Sequence, residues 1–263
     1  MNNSPIGLFD SGMGGLSVWQ GLRAALPEES LIFFGDGVRC PYGSRPESEV
    51  LHFTVEAVEK LIAEGCKLIV IACNTATAVA IDTLRERYSN IPFVGLEPAV
   101  KPAALQTKTG VVAVLATQRS LEGRLFVQTS AKYADRAEII KCVGRDFVEI
   151  VEASEEHTER AERAVRTVVE PLVGSGVDRI VLGCTHYPFL RPLIERVVEG
   201  SDIEVIDSGE AVARRVKWLL ERYDIAAKRG STPEFKFLTF ADEEYRKRLE
   251  LKAQTIEREL NEE

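Results

Sequence analysis

Eight short, nearly continuous apolar runs, separated by helical patterns, constrain this chain more than any other feature. The runs are Pro5–Phe9, Ser30–Gly35, Lys67–Ala72, Pro92–Leu96, Gly110–Leu115, Ala137–Cys142, Arg179–Leu182 and Glu204–Ile206. They are rich in Val and Ile, and most are bounded by Gly, Pro, Asp or Asn. Continuous apolarity of that length suits strands covered on both faces, as in a parallel sheet. The spacers carry amphipathic periodicity. Over Pro46–Glu64, the residues Leu51, Val55, Val58, Leu61 and Ile62 share one helical face. Over Thr158–Val173 the same holds for Ala161, Val165, Val168, Val169 and Leu172. Such alternation predicts an α/β fold. The segment 242–263 reads as a highly charged, solvated surface helix.

The bulk numbers exclude several classes. Hydrophobic residues at 45% and charged residues at 28% give the balance of a water-facing globular chain that can bury a core. A net charge of −8, with no Lys/Arg-rich block, argues against a nucleic-acid partner. The opening residues MNNSPIGLFDSG lack a basic then apolar leader, and no apolar run is long enough to span a bilayer. A cytoplasmic protein without membrane association is therefore expected. The five cysteines are widely spaced with no CxxC, which predicts thiols rather than a disulfide framework.

Two of those thiols sit in an internal echo. KLIVIACNT at 67–75 and DRIVLGCTH at 178–186 share a charge, an apolar strand, a small residue, a Cys and polar followers. Each places a Cys at the carboxyl end of a strand, where open α/β sheets form ligand crevices. A strand-end Cys taken alone is often just a small hydrophobe. Asn74 and Thr75 after Cys73, and Thr185 and His186 after Cys184, are costly to bury unless something uses them. Cys40, Cys66 and Cys142 lack such neighbours and read as structural. Two thiols on opposite sides of one carbon could remove and replace a proton, since a thiol can serve in either protonation state near neutral pH.

Other motifs remain open on the residues alone. DSGMGG at 10–15 is Gly-rich, but a dinucleotide fingerprint would need Gly at the position of Ser17, and no P-loop is present. The alternative is a tight strand-to-helix turn that points Asp10 and Ser11 into a crevice. CPYGSRP at 40–46 is either a surface turn or a loop whose backbone N–H groups, Tyr42 and Ser44 suit a carboxylate. His186 could set the protonation state of Cys184. Cys73, Cys184 and His186 could also ligate zinc, but a fourth ligand is missing.

The segments IGLFDSGMGGLSV, DGVRCPYGSR, ACNTATA, GLEPAVKPA, LGCTHYPFL and IDSGEAVARRV occur in that order and span almost the whole chain. Together they resemble the bacterial glutamate racemases of the aspartate/glutamate racemase family. The resemblance implies interconversion of L- and D-glutamate without pyridoxal phosphate or metal, supplying D-glutamate for peptidoglycan. It places the catalytic cysteines on Cys73 and Cys184, with Asp10, His186 and Glu152 assisting. Cys73 would abstract from D-glutamate and Cys184 from L-glutamate. Substrate contacts fall on Asp10, Ser11, Tyr42, Gly43, Asn74, Thr75, Thr185 and His186. The implied fold has two similar α/β lobes, each a mostly parallel sheet flanked by helices, with the active site in the cleft between them. The lobes comprise residues 1–97 with 208–263, and 98–207. A homodimer is implied. Ser120 stands where the family commonly has Thr, and Glu149 where Pro is common. Aspartate racemase and a non-catalytic binding protein for an acidic amino acid remain as alternatives.

Overall fold

The computed structural model describes residues 2–262. Met1 and Glu263, the outer ends of the expected first lobe, lie outside the described residues, as does the last residue of the expected tail helix. The chain divides into two compact units, Met1–Leu96 with Gly209–Glu263, and Glu97–Ser208.

The first unit begins with β1 (Ile6–Asp10), α1 (Leu16–Ala25), β2 (Leu31–Gly35), α2 (Glu47–Ala63), β3 (Leu68–Ile71), α3 (Asn74–Arg87) and β4 (Phe93–Gly95). The second unit holds α4 (Val100–Gln106), β5 (Val111–Ala116), α5 (Gln118–Glu122), α6 (Arg124–Lys132) and β6 (Glu138–Val143). It continues with α7 (Phe147–Glu152), α8 (Glu159–Val169), β7 (Arg179–Leu182), α9 (Arg191–Val197) and β8 (Glu204–Ile206). The chain then returns to the first unit with α10 (Gly209–Arg222), β9 (Phe235–Leu238) and α11 (Glu243–Glu262).

All pairings in both sheets are parallel. The first sheet runs β4-β3-β1-β2-β9 and the second runs β6-β5-β7-β8. Read from the other edge, the second is β8-β7-β5-β6, the order of the first four strands of the first sheet. β1, β2, β3 and β7 are buried at every residue, and β5 at every residue but its first. β6 lies at an edge and is partly exposed. The second core gathers Val112, Val114, Val181, Leu121 and Phe126.

Three expectations need adjusting. β9 lies outside the eight runs, because FKFL is only four residues long and carries Lys236 in its middle. It adds a parallel edge strand beside β2, with Phe235 and Phe237 packed on buried Trp19 at 5.1 and 5.2 Å between ring centroids. In α2 the buried face is Val50, Thr54, Ala57, Val58 and Leu61; the expected Leu51, Val55 and Ile62 are only partly covered. Thr54 accommodates burial by donating its hydroxyl to the Val50 carbonyl at 2.7 Å. The charged tail is not solvated all round. Leu249, Ala253 and Ile256 form a buried stripe on α11 at helical spacing, while Leu251 is exposed. In addition, Pro171 lacks an N–H, so α8 stops at Val169 and the chain continues as a single 3-10 turn over Glu170–Leu172. Among the described residues, no helix is long and apolar enough to cross a membrane.

Candidate functional site

In the first unit, β1 and β3 deliver their carboxyl ends side by side. Asp10 ends β1 and is fully buried. Its Oδ2 accepts the Gly15 N–H at 2.7 Å, which closes the DSGMGG turn against the start of α1. A Cβ at Gly15 would lie 2.6 Å from the Asp10 Cβ, so the close approach requires glycine. Ser11 follows. The Cys73 thiol donates to its Oγ at 3.5 Å, and the Ala76 N–H donates to the sulfur, also at 3.5 Å. Cys73 is thus the N-cap of α3, a place where backbone N–H groups and the helix dipole favour negative charge. Asn74 and Thr75 form the buried first turn of that helix. The Asn74 amide donates to the Leu96 carbonyl at 3.4 Å, while its buried Oδ1 has no hydrogen-bond partner among the described residues.

Tyr42 and Gly43 lie in a single 3-10 turn, Tyr42–Ser44, after a cis Cys40–Pro41 peptide. The Tyr42 side chain is buried and its hydroxyl donates to Asp36 Oδ2 at 2.5 Å. Burial, and then the Asp36 carboxylate, push the phenol well above its ordinary value, so it stays protonated. The phenol is therefore tied into its own loop. Asp36 and Arg39, which hold that loop, were not singled out from the sequence. Their signal was an Asp and an Arg at i and i+3 just ahead of the Pro-containing turn.

In the second unit, Cys184 follows β7 by two residues, as Cys73 follows β3. The two strands hold the same place in sheets of the same order, so the sequence echo falls on equivalent positions. Cys184 has different company. Its Sγ lies 3.7 Å from His186 Nδ1, and His186 Nε2 lies 2.7 Å from Glu152 Oε1. Glu152 comes from the last residue of α7. With that carboxylate ionised, Nε2 carries the ring proton and Nδ1 presents a lone pair to the thiol. Thr185 and His186 are buried beside it. The Tyr187 hydroxyl donates to the Gly144 carbonyl at 3.2 Å, and burial raises its pKa, with a further contribution from Cys184.

The remaining expected positions behave as local structure. Ser120 Oγ accepts from Thr117 Oγ1 at 2.9 Å at the start of α5. No disulfide joins the five cysteines among the described residues. Cys66 is buried, which pushes its thiol up to about 12, and Cys142 is also raised by burial.

Residues 15–216 match the family model described as Asp/Glu/Hydantoin racemase. The chain is 46% identical to a glutamate racemase of Herpetosiphon aurantiacus over 242 residues, covering 92% of this chain and 94% of that one. Its structure is similar to that of a glutamate racemase from Bacillus anthracis, with a TM-score of 0.86 at 31% identity, covering 97% and 95% of the two chains. It is similar also to an Escherichia coli glutamate racemase in complex with L-glutamate and the activator UDP-MurNAc-Ala. There the TM-score is 0.83 at 32% identity, covering 96% and 95%.

Proposed function

The chain belongs to the Asp/Glu/Hydantoin racemase family, and from that premise we propose that it interconverts L- and D-glutamate by a two-thiol proton transfer. One observation carries the reading: equivalent strands of two like-ordered sheets are each followed, two residues on, by a cysteine with a polar side chain at its sulfur, Ser11 at Cys73 and His186 at Cys184. A single nucleophile or a binding protein has no use for the second.

In this scheme one sulfur is a thiolate and the other a thiol. Starting from D-glutamate, the Cys73 thiolate takes the α-proton and the Cys184 thiol gives its proton to the opposite face. Cys73 is then a thiol and Cys184 a thiolate, the state that reacts with L-glutamate. The α3 N-terminus supports negative charge on Cys73. After turnover of L-glutamate, Cys184 is a thiol and Cys73 a thiolate. His186 Nδ1, oriented by Glu152, then accepts the Cys184 proton and passes it to solvent while Cys73 regains one from solvent, which restores the state that reacts with L-glutamate. The scheme requires both sulfurs to reach opposite faces of one α-carbon when glutamate is bound.

The α-proton is far less acidic than a thiol, so fixed dipoles must stabilise the carbanion-like transition state. Asp10 and the unsatisfied Oδ1 of Asn74 are acceptors suited to the substrate ammonium. The hydroxyls of Ser11, Thr75 and Thr185, and the backbone of Tyr42–Ser44, suit the two carboxylates. Tyr42 contributes main chain rather than its phenol, which is engaged by Asp36. No pyridoxal phosphate or metal is needed for this chemistry. In this account the product supplies D-glutamate for peptidoglycan from the cytoplasm, and the working unit is a homodimer.

The test is incubation of the pure protein with L-glutamate, and separately L-aspartate, in deuterated water. Loss of optical activity together with α-deuterium from glutamate is expected. Turnover of aspartate alone would make the protein an aspartate racemase. Inertness toward both would leave a binding protein.

A further inference from the structure

The 36–45 loop carries a charged network that the proton transfer does not use. Asp36 is fully buried, and besides the Tyr42 hydroxyl it accepts Arg39 Nε at 2.7 and 3.0 Å. Arg39 Nη1 reaches Glu56 of α2 at 2.7 Å. The guanidinium carbon lies 4.3 Å from the ring centroids of both Phe53 and Phe240. The Arg39 carbonyl accepts Arg45 Nε, on the far side of the turn. The main chain of Asp36 is fixed as well. Its N–H donates to the Asp10 carbonyl at 3.1 Å, and its carbonyl accepts the Thr239 hydroxyl at 3.1 Å. Gly37 has φ +67°, and a Cβ there would lie 2.5 Å from the Tyr245 ring. The loop is thus seated on the segment that joins β9 to α11 and on the first turn of α11.

A mostly buried ion pair is weak as a stability device, because desolvating two charges offsets much of their attraction. What it supplies is geometry. Arg39 Nε and the Tyr42 phenol converge on one carboxylate from two points of the same loop, while Arg39 Nη1 ties the guanidinium to Glu56. The main chain between them then has little freedom.

We propose that Asp36 and Arg39 are positioning residues for the Tyr42–Ser44 turn, holding its backbone N–H groups where a substrate carboxylate binds. This rests on the assignment of that turn to the substrate site. Neither side chain touches the substrate. Phe240, stacked on Arg39, makes the C-terminal segment part of the support.

The test uses Asp36→Asn, Arg39→Met and the milder Phe240→Leu, each measured for glutamate kinetics, melting temperature and amide hydrogen exchange without ligand. In the first two, KM should rise about tenfold with kcat held within about threefold, since binding preorganisation is lost while the thiols remain. Amides of residues 40–45 should exchange faster while those of β1 and β3 do not. Phe240→Leu should show the same pattern more weakly. Unchanged KM and unchanged loop exchange in folded variants would overturn the proposal. So would an equal loss of kcat with faster exchange throughout the first unit, which marks a merely structural role. If the unaltered protein does not racemise glutamate, the functional assignment fails, and the exchange measurement still reports on the loop.

Discussion

His186 holds Glu152 and Cys184 at its two ring nitrogens: Nε2 is 2.7 Å from Oε1 and Nδ1 is 3.7 Å from Sγ. The carboxylate fixes the tautomer, and the tautomer decides whether the thiol faces an acceptor or a donor. Glu152→Gln can present either end of its amide, so this control is lost. The expected result is a fall in kcat of roughly ten- to a hundred-fold, part of what a general acid–base pair supplies, with D-glutamate binding largely retained. Calorimetric titration alongside steady-state kinetics checks it; unchanged kcat would detach Glu152 from the chemistry.

The cysteines themselves should be individually indispensable. Cys73→Ser and Cys184→Ser each replace an acidic thiol by a hydroxyl that ionises far less readily. Racemisation should drop by about a hundredfold or more in each variant, measured by circular dichroism of the glutamate pool. Turnover above about a tenth of normal in both would contradict a two-thiol scheme.

The buried stripe on α11 yields a contrast in stability. Leu249 is fully buried, whereas Leu251 is 61% exposed on the same helix. Leu249→Ala should cost about 2–5 kcal/mol in urea unfolding, and Leu251→Ala less than about 0.5 kcal/mol. Equal costs would mean that α11 does not pack as described.

Alkaline pH should unfold the protein through its buried acids. Cys66 has an ordinary value of 9.0 and is pushed up to about 12, chiefly by burial. The unfolded chain therefore sheds this proton first as pH rises. The stability from keeping Cys66 neutral is complete below about pH 9 and is lost progressively toward pH 12. Cys142 acts in the same direction. The urea midpoint should fall between pH 9 and 11, and Cys66→Ala should shallow that fall. A midpoint as steep in the variant as in the parent would remove Cys66 as a cause.

Much of the architecture was legible because parallel strands buried on both faces must be apolar throughout. Among the described residues, eight such runs mark eight of the nine strands. β9 escaped because Lys236, exposed in the middle of a strand of only four residues, breaks the apolar run. The stripe of α11 was hidden by composition: Leu249, Ala253 and Ile256 are few among its many charged side chains. At the site, the residues that flank each thiol in sequence were readable. Glu152 came only from the family resemblance, because its partner is 34 residues away. The Asp36 carboxylate was not read at all. Its meaning depends on Tyr42 and Arg39 folding back onto it and on Phe240, about two hundred residues later, covering the guanidinium.

The most direct test of the two-thiol account follows deuterium at the earliest turnovers. L-glutamate is supplied in deuterated water, and the two enantiomers are separated before equilibrium. Abstraction by one thiol and delivery by the other predicts D-glutamate fully deuterated at the α-carbon, while the recovered L-glutamate still carries protium. D-glutamate that retained the original proton would mean that one group moved it across both faces, and the two-thiol account would be wrong.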